Sequence, residues 1–166
     1  MMELHEDISL NELKSIIKEI VNDISLEELY ELSYQFNEDN KYLPREYRKK
    51  HTESVLNVIM NRFIMLKNDT STYKGKLKKE EIENINQILK NDKNKRNHIL
   101  NIIAIYTTYL LEEPIHTPNT TFPGLKSIYF DGNDYYCPIK KFHINNKKAL
   151  CKYCIAKVTE WLLWQK

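Results

Sequence analysis

The chain has 166 residues, of which 42% are hydrophobic and 29% charged, a composition typical of one globular domain and not of a chain disordered throughout. Its three glycines and five prolines are too few for an all-β sandwich or barrel, which needs many turns. The 25 basic and 23 acidic residues leave a net charge of +2, which is too small to steer a polyanion over long distances.

Two helices are predicted at the start of the chain, each with its own start signal. Ser9 is followed by Glu12, and Ser25 by Glu28, the spacing of a capping box in which the serine and glutamate satisfy free backbone N–H groups. After each box, apolar residues recur at helical spacing. These residues are Leu13, Ile16, Ile17, Ile20, Val21 and Ile24 in the first helix, and Leu29, Leu32 and Phe36 in the second.

Three further helices are predicted before residue 114. Pro44 suits the first position of a third helix, and Lys79 to Lys90 has the apolar period of a fourth. Residues 96–111 are apolar on most faces, which indicates the central, most buried helix of a bundle. The apolar part of this helix is interrupted by polar residues and too short to span a bilayer.

The last fifty residues differ in character. Residues 127–130 and 135–137 flank Asp131-Gly132-Asn133-Asp134, a sequence typical of a β-hairpin turn, and helical spacing returns from Leu150. We therefore expect one mainly α domain over residues 1–166. It comprises a bundle of about five helices (1–113), followed by a metal-clipped β-hairpin and a terminal helix (114–166).

Three cysteines fall close together near the C terminus. Cys151 and Cys154 form a Cys-x-x-Cys pair in the first turn of the predicted terminal helix, where the helix dipole favours thiolates. Cys137 ends the predicted hairpin. A hairpin thiol and two thiols that open a helix are a common zinc-ligand set. We expect His116, held between two prolines, as the fourth ligand, and His143 in a Lys-rich loop as the alternative.

Other interpretations of these residues remain open. The thiols could be core residues, a redox pair, or ligands of iron or an iron–sulfur cluster. Four aromatic residues of the hairpin region could stack nucleic-acid bases, although packing against the bundle explains them more simply. These four are Tyr129, Phe130, Tyr135 and Tyr136. No sequence motif identifies a catalytic residue.

The C-terminal block also carries a family resemblance. His116, Phe122-Pro123-Gly124, the segment YYCPIK at 135–140 and ALCKYCIA at 149–156 together resemble an uncharacterised family of methanogenic archaea, domain of unknown function 2115 (uncharacterised protein family 0305). In that family the histidine is followed by proline and glycine, where this chain has Thr117, Pro118 and Asn119. The resemblance implies an archaeal protein with a shared Cys/His site and no assigned activity.

These observations favour a cytoplasmic, non-enzymatic module in which a structural zinc ion fixes a surface for another protein. The alternative is a metal-dependent enzyme, or a protein that delivers metal or iron–sulfur clusters, with an open coordination position. RNA binding is a weaker alternative, because the lysine clusters at 74–79 and 90–96 are typical of solvated surface. No membrane partner is expected.

Overall fold

The computed structural model describes residues 3–39, 41–90, 95–118, 120, 122, 127–145 and 149–159. The protein is mainly helical, as predicted, with a small sheet near the C terminus. The helices of the described ranges are α1 (Leu10–Asp23), α2 (Leu26–Asp39), α3 (Arg45–Asn68), α4 (Lys79–Lys90), α5 (Lys95–Ile105) and the short α6 (Lys140–His143). The strands are β1 (Tyr129–Phe130), β2 (Tyr135–Cys137) and β3 (Lys157–Val158).

Both predicted capping boxes are present. The backbone N–H of Glu12 donates to Ser9 Oγ, and the backbone N–H of Ser9 donates to the Glu12 carboxylate at 2.8 Å. Ser25 and Glu28 exchange the same two hydrogen bonds at the start of α2. Pro44 lies just before α3 and not at its first helical position. The starts of α1 and α2 are thus set by local sequence.

The helices α1 to α5 enclose one large apolar core. Its fully buried members include Leu13, Ile17, Leu32, Leu66, Ile85, Ile99, Ile102 and Tyr106. The predicted central helix is confirmed, since nearly every residue from 99 to 107 is buried. In the described part of the chain, no helix combines the length and apolar character needed to cross a membrane.

The central helix changes its winding before it ends. From Tyr106 to Leu110 it is a π-helix, and the backbone N–H of Leu111 donates to the carbonyl of Tyr106 at 3.1 Å. The buried hydroxyl of Thr107 donates to carbonyls one turn earlier, at Ile103 and Ala104, and so competes for helical acceptors. Glu112 follows with a φ of 52°, which turns the chain away from the helix axis.

The C-terminal sheet has the order β1-β2-β3. The predicted hairpin is confirmed, because β1 and β2 pair antiparallel with Tyr129 opposite Tyr136. The predicted terminal helix is wrong over residues 150–159, which form a 3₁₀ turn (Leu150–Lys152) followed by β3. The strand β3 pairs in parallel with β2, so tertiary pairing satisfies its backbone groups. Residues 160–166 of that predicted helix lie outside the described residues.

A buried carboxylate ties the end of α3 to the central helix. Asp69 accepts hydrogen bonds from the hydroxyls of Tyr73 at 2.7 Å and Tyr106 at 3.0 Å, and from the backbone N–H of Ser71. Burial alone would raise the pKa of Asp69, but these hydrogen bonds outweigh it and hold the pKa below its ordinary value. As the pH falls, the Asp69 carboxylate is therefore protonated at a higher pH in the unfolded chain than in the folded protein.

Asp69→Asn should lower the free energy of unfolding at pH 7 by about 2 kcal/mol, because it removes charge-assisted hydrogen bonds in a buried place. The stabilisation by Asp69 is fully present above about pH 5 and is lost as the pH falls through the lowered pKa of Asp69. The free energy of unfolding of the variant should therefore decrease less between about pH 5 and lower pH than that of the unmodified chain. Urea unfolding across pH measures both effects. Asp23→Asn, at an exposed position of α1, is the matched control; an equal effect there would contradict this role of Asp69.

Candidate functional site

A cavity of about 390 Å³ lies where the helical bundle meets the C-terminal region. On the bundle side its wall comes from α2, α3 and α5, through Phe36, Val55, Val58, Ile59, Leu100 and Ile103. On the other side a second, small apolar cluster of Phe122, Ile128, Cys137 and Ala156 contributes three of its members. The cavity therefore separates two apolar clusters that do not merge.

All four predicted ligand residues line this one cavity: His116, Cys137, Cys151 and Cys154. The alternative, His143, also lines it. No disulfide joins the three cysteines. Pro123 and Gly124 of the family-like motif, and the predicted loop residues 146–148, lie outside the described residues.

The three thiols lie close enough to influence one another. Burial raises the pKa of Cys137, and burial together with a smaller contribution from the neighbouring thiols raises the pKa of Cys151 to about 11. The prediction that a helix dipole favours the thiolates is wrong, because Cys151 lies in a three-residue 3₁₀ turn with no long helix behind it. Cys137 and Cys151 are therefore protonated at neutral pH when no metal ion is bound.

His116 reaches the cavity just after the π-helical segment. Its ring packs edge-on against Phe122, with 5.3 Å between ring centroids. Burial, with smaller contributions from the nearby imidazoles of His51 and His143, lowers the pKa of His116 to about 4. The ring is therefore neutral at physiological pH, which is the form that binds metal ions.

His51 is a cavity residue that the sequence analysis missed. It lies on α3 and its ring stacks on that of Tyr47, with 5.7 Å between centroids. A signal was available, because His51 lies one turn before Val55 on the buried face of α3. Nothing local, however, connects residue 51 with the distant cysteines.

Lys140 is a second missed residue, and it is buried with 9% of its surface exposed. Its ammonium donates hydrogen bonds to the backbone carbonyls of Cys154 at 2.7 Å and Ala156 at 2.6 Å, and it lines the cavity. No carboxylate in the described ranges forms an ion pair with it. A buried cation without a counter-charge is unfavourable, so this site favours an anionic neighbour.

The described donors do not converge on one point. Across the residues that the structure describes, no group of three or more His, Cys, Asp or Glu side chains is positioned to hold a metal ion. The four predicted ligands thus share one cavity wall but stand apart around it. A metal ion bound by all of them would have to draw them together.

The structure defines a mainly helical protein with a cysteine- and histidine-lined cavity between its bundle and a small sheet. Residues 9–159 match the model of a protein family described as "Uncharacterized protein conserved in archaea (DUF2115)", and the chain belongs to this family. The family resemblance of the C-terminal motifs is thereby confirmed.

The similar curated proteins come from methanogenic archaea. A UPF0305 protein of Methanothermobacter thermautotrophicus is 31% identical over 153 residues, which cover 87% of this chain and 93% of the relative. A UPF0305 protein of Methanocaldococcus jannaschii is 26% identical over 158 residues, covering 88% and 94%. One from Methanococcus maripaludis strain C7 is 28% identical over 153 residues, covering 87% and 94%. No solved structure matches the chain.

Proposed function

We propose that the chain binds one zinc ion through Cys137, Cys151, Cys154 and His116, and that this ion fastens the C-terminal sheet to the helical bundle. The resulting module presents a fixed surface to another protein. The observation that carries the proposal is that all four side chains line one cavity between two separate apolar clusters.

The chemistry of these donors suits zinc. Three thiolates and one imidazole form a closed tetrahedral site, a frequent structural zinc arrangement. Zinc binding displaces the thiol protons, so the raised pKa values of Cys137 and Cys151 make affinity depend on pH but do not prevent binding. His116 is already neutral and loses no proton.

The charge of the site also favours a metal–thiolate complex. A zinc ion with three thiolates and a neutral imidazole carries one negative charge. The ammonium of Lys140, buried in the same cavity wall, supplies one positive charge. The two charges would compensate each other inside the protein, which explains why a lysine is buried at this position.

The small C-terminal cluster needs additional support. Among the residues that the structure describes, it consists of Phe122, Ile128, Cys137 and Ala156, with Tyr135, Ile139 and Cys154 partly buried against it. So few apolar side chains bury too little surface to hold a sheet of two- and three-residue strands. The four donors stand apart around the cavity, so zinc bound by all of them would contract the cavity and close the gap between the clusters.

Protein purified without oxygen should contain about one zinc per chain and should be colourless, since zinc has no visible transitions. Elemental analysis with a visible spectrum measures this, and replacement by cobalt should give thiolate-to-cobalt absorption. Brown protein with acid-labile sulfide would contradict zinc and indicate an iron–sulfur site. Metal-free protein with a fully ordered sheet would contradict both.

The size of the cavity favours one second candidate, a metal-dependent enzyme or metal-delivery protein. At about 390 Å³ the cavity has room for a small molecule beside three bound thiolates, and His51 and His143 lie in its wall. Counting ligands by X-ray absorption separates the two candidates. Three sulfurs and one nitrogen indicate the closed structural site, whereas three sulfurs and an exchangeable oxygen indicate the open one.

A further inference from the structure

The outer face of α2 carries a stripe of exposed apolar side chains. Leu26 is 74% exposed, Tyr30 77% and Tyr34 64%. They recur every four residues, so they form a line about 12 Å long on one side of the helix. Leu29 and Leu32 are buried on the opposite side, in the bundle core. This helix therefore has two apolar faces, of which the described residues cover one.

A stripe of carboxylates runs beside the apolar stripe. Glu27, Glu31 and Glu38 are exposed, and at 100° per residue their mean direction lies about 80° around the helix from the apolar stripe. Residues 26–39 contain five acidic and no basic residues, in a chain with a net charge of +2. Glu38 pairs with Lys41 at 3.6 Å, whereas Glu27 and Glu31 pair with no basic residue in the described ranges.

We infer that this surface of α2 binds a basic amphipathic helix of a partner protein. Apolar side chains of the partner would pack on Leu26, Tyr30 and Tyr34, and its lysines or arginines would face Glu27 and Glu31. Tyrosine is enriched at protein interfaces, where aromatic residues contribute much of the affinity. Charge complementarity would set the orientation and speed of binding.

The same charges argue against other occupants. A second copy of the chain that docked α2 against α2 would place two rows of carboxylates opposite each other, which is repulsive. Nucleic acids and anionic lipid surfaces carry negative charge and would also be repelled. A basic protein segment is thus the class of partner that fits both stripes. The inference does not depend on whether the cavity binds zinc.

A fluorescent peptide of about 18 residues, with leucines on one helical face and lysines and arginines elsewhere, is the probe. It should bind the full chain with an affinity that falls as salt rises. Tyr30→Ala with Tyr34→Ala should weaken binding about 10-fold or more, and Glu27→Lys with Glu31→Lys should weaken it similarly and reduce its salt dependence. All four side chains are exposed, so circular dichroism should stay unchanged, and the melting temperature should fall only slightly, because Glu27 lies in the first turn of α2 where a lysine opposes the helix dipole.

Matched controls make the result specific to α2. Tyr129→Ala removes an exposed tyrosine of β1, and Glu53→Lys with Glu83→Lys makes the same change in net charge on α3 and α4. Both controls should bind the probe like the unmodified chain. Equal loss in the two charge-reversal variants would overturn the inference, since only net charge would matter.

The peptide and the oligomeric state provide further tests. A probe with serines in place of its leucines should bind much more weakly, and equal binding would overturn the inference because the apolar stripe would be unused. A dimer of the unmodified chain that Tyr30→Ala dissociates would also overturn it, since the occupant would then be a second copy. Binding that the α2 variants leave intact would place the contact elsewhere.

Discussion

Cys137→Ser should release zinc and loosen the three-stranded sheet while α1 to α5 stay folded. Cys137 ends β2, is 6% exposed and belongs to the small C-terminal cluster. A serine hydroxyl is a poor zinc ligand, so metal affinity should fall more than about 100-fold. This loss is larger than the roughly 10- to 100-fold loss typical when a residue that only orients a ligand is removed. Amide hydrogen exchange should then show lost protection in residues 127–145 and 149–159, with the bundle still protected.

Removal of the metal provides the control for this prediction. A strong chelator added to the unmodified protein should give the same exchange pattern as Cys137→Ser, because both leave the sheet without its metal. The chelator should have no further effect on the variant. Loss of most helicity in the variant would contradict the division between a self-sufficient bundle and a metal-dependent sheet. An ordered sheet in chelated protein would contradict a structural metal.

Local chemistry made much of the fold predictable. The capping boxes at Ser9 and Ser25 set the starts of α1 and α2 within one turn of chain, so no tertiary information was needed. The hairpin was predictable because Asp131 accepts hydrogen bonds from the backbone N–H groups of Asn133 and Asp134, a contact within the turn itself. For the same reason the position of Cys137 at the end of β2 followed from sequence.

The features that the sequence did not reveal depend on distant contacts. The spacing of Cys151, Cys154 and Val158 fits a helix, but Val158 lies in β3, whose pairing partner is Cys137. The apolar spacing over residues 150–159 is compatible with both a helix and a strand, and the pairing of β3 with β2 selects the strand. The burial of Lys140 likewise depends on carbonyl groups 14 and 16 residues away.

Four residues that line the candidate cavity were named from the sequence, whereas His51, Lys140 and the apolar surroundings were not. The spacing of the cysteines pointed to Cys137, Cys151 and Cys154, and the cavity that they share with His116 arises only when the sheet docks on the bundle. The π-helical segment sets the direction in which the chain leaves the central helix towards His116. The Thr107 hydroxyl donates to backbone carbonyls of this helix, but such a contact has no sequence signature specific enough to predict a π-helical segment.

His116→Ala should weaken zinc binding about 10-fold or more, and His143→Ala should leave it nearly unchanged. The His116 ring is held against Phe122, so its ordering entropy is lost before the metal arrives. It is also neutral at pH 7, because burial lowers its pKa to about 4. His143 is exposed on the four-residue helix α6, so its binding to the metal would cost more side-chain entropy than binding by the packed ring of His116.

Competition with a chromophoric chelator measures the affinities, and free imidazole added to His116→Ala distinguishes ligation from packing. If His116 binds the metal directly, imidazole entering the vacated space should restore part of the affinity and the cobalt spectrum, which a purely structural role would not allow. His51→Ala is the matched control, since His51 lines the same cavity. A larger loss in His143→Ala would move the fourth ligand to α6. No loss in any of the three variants would leave the fourth position open, and the enzyme or metal-delivery candidate would then account better for the cavity.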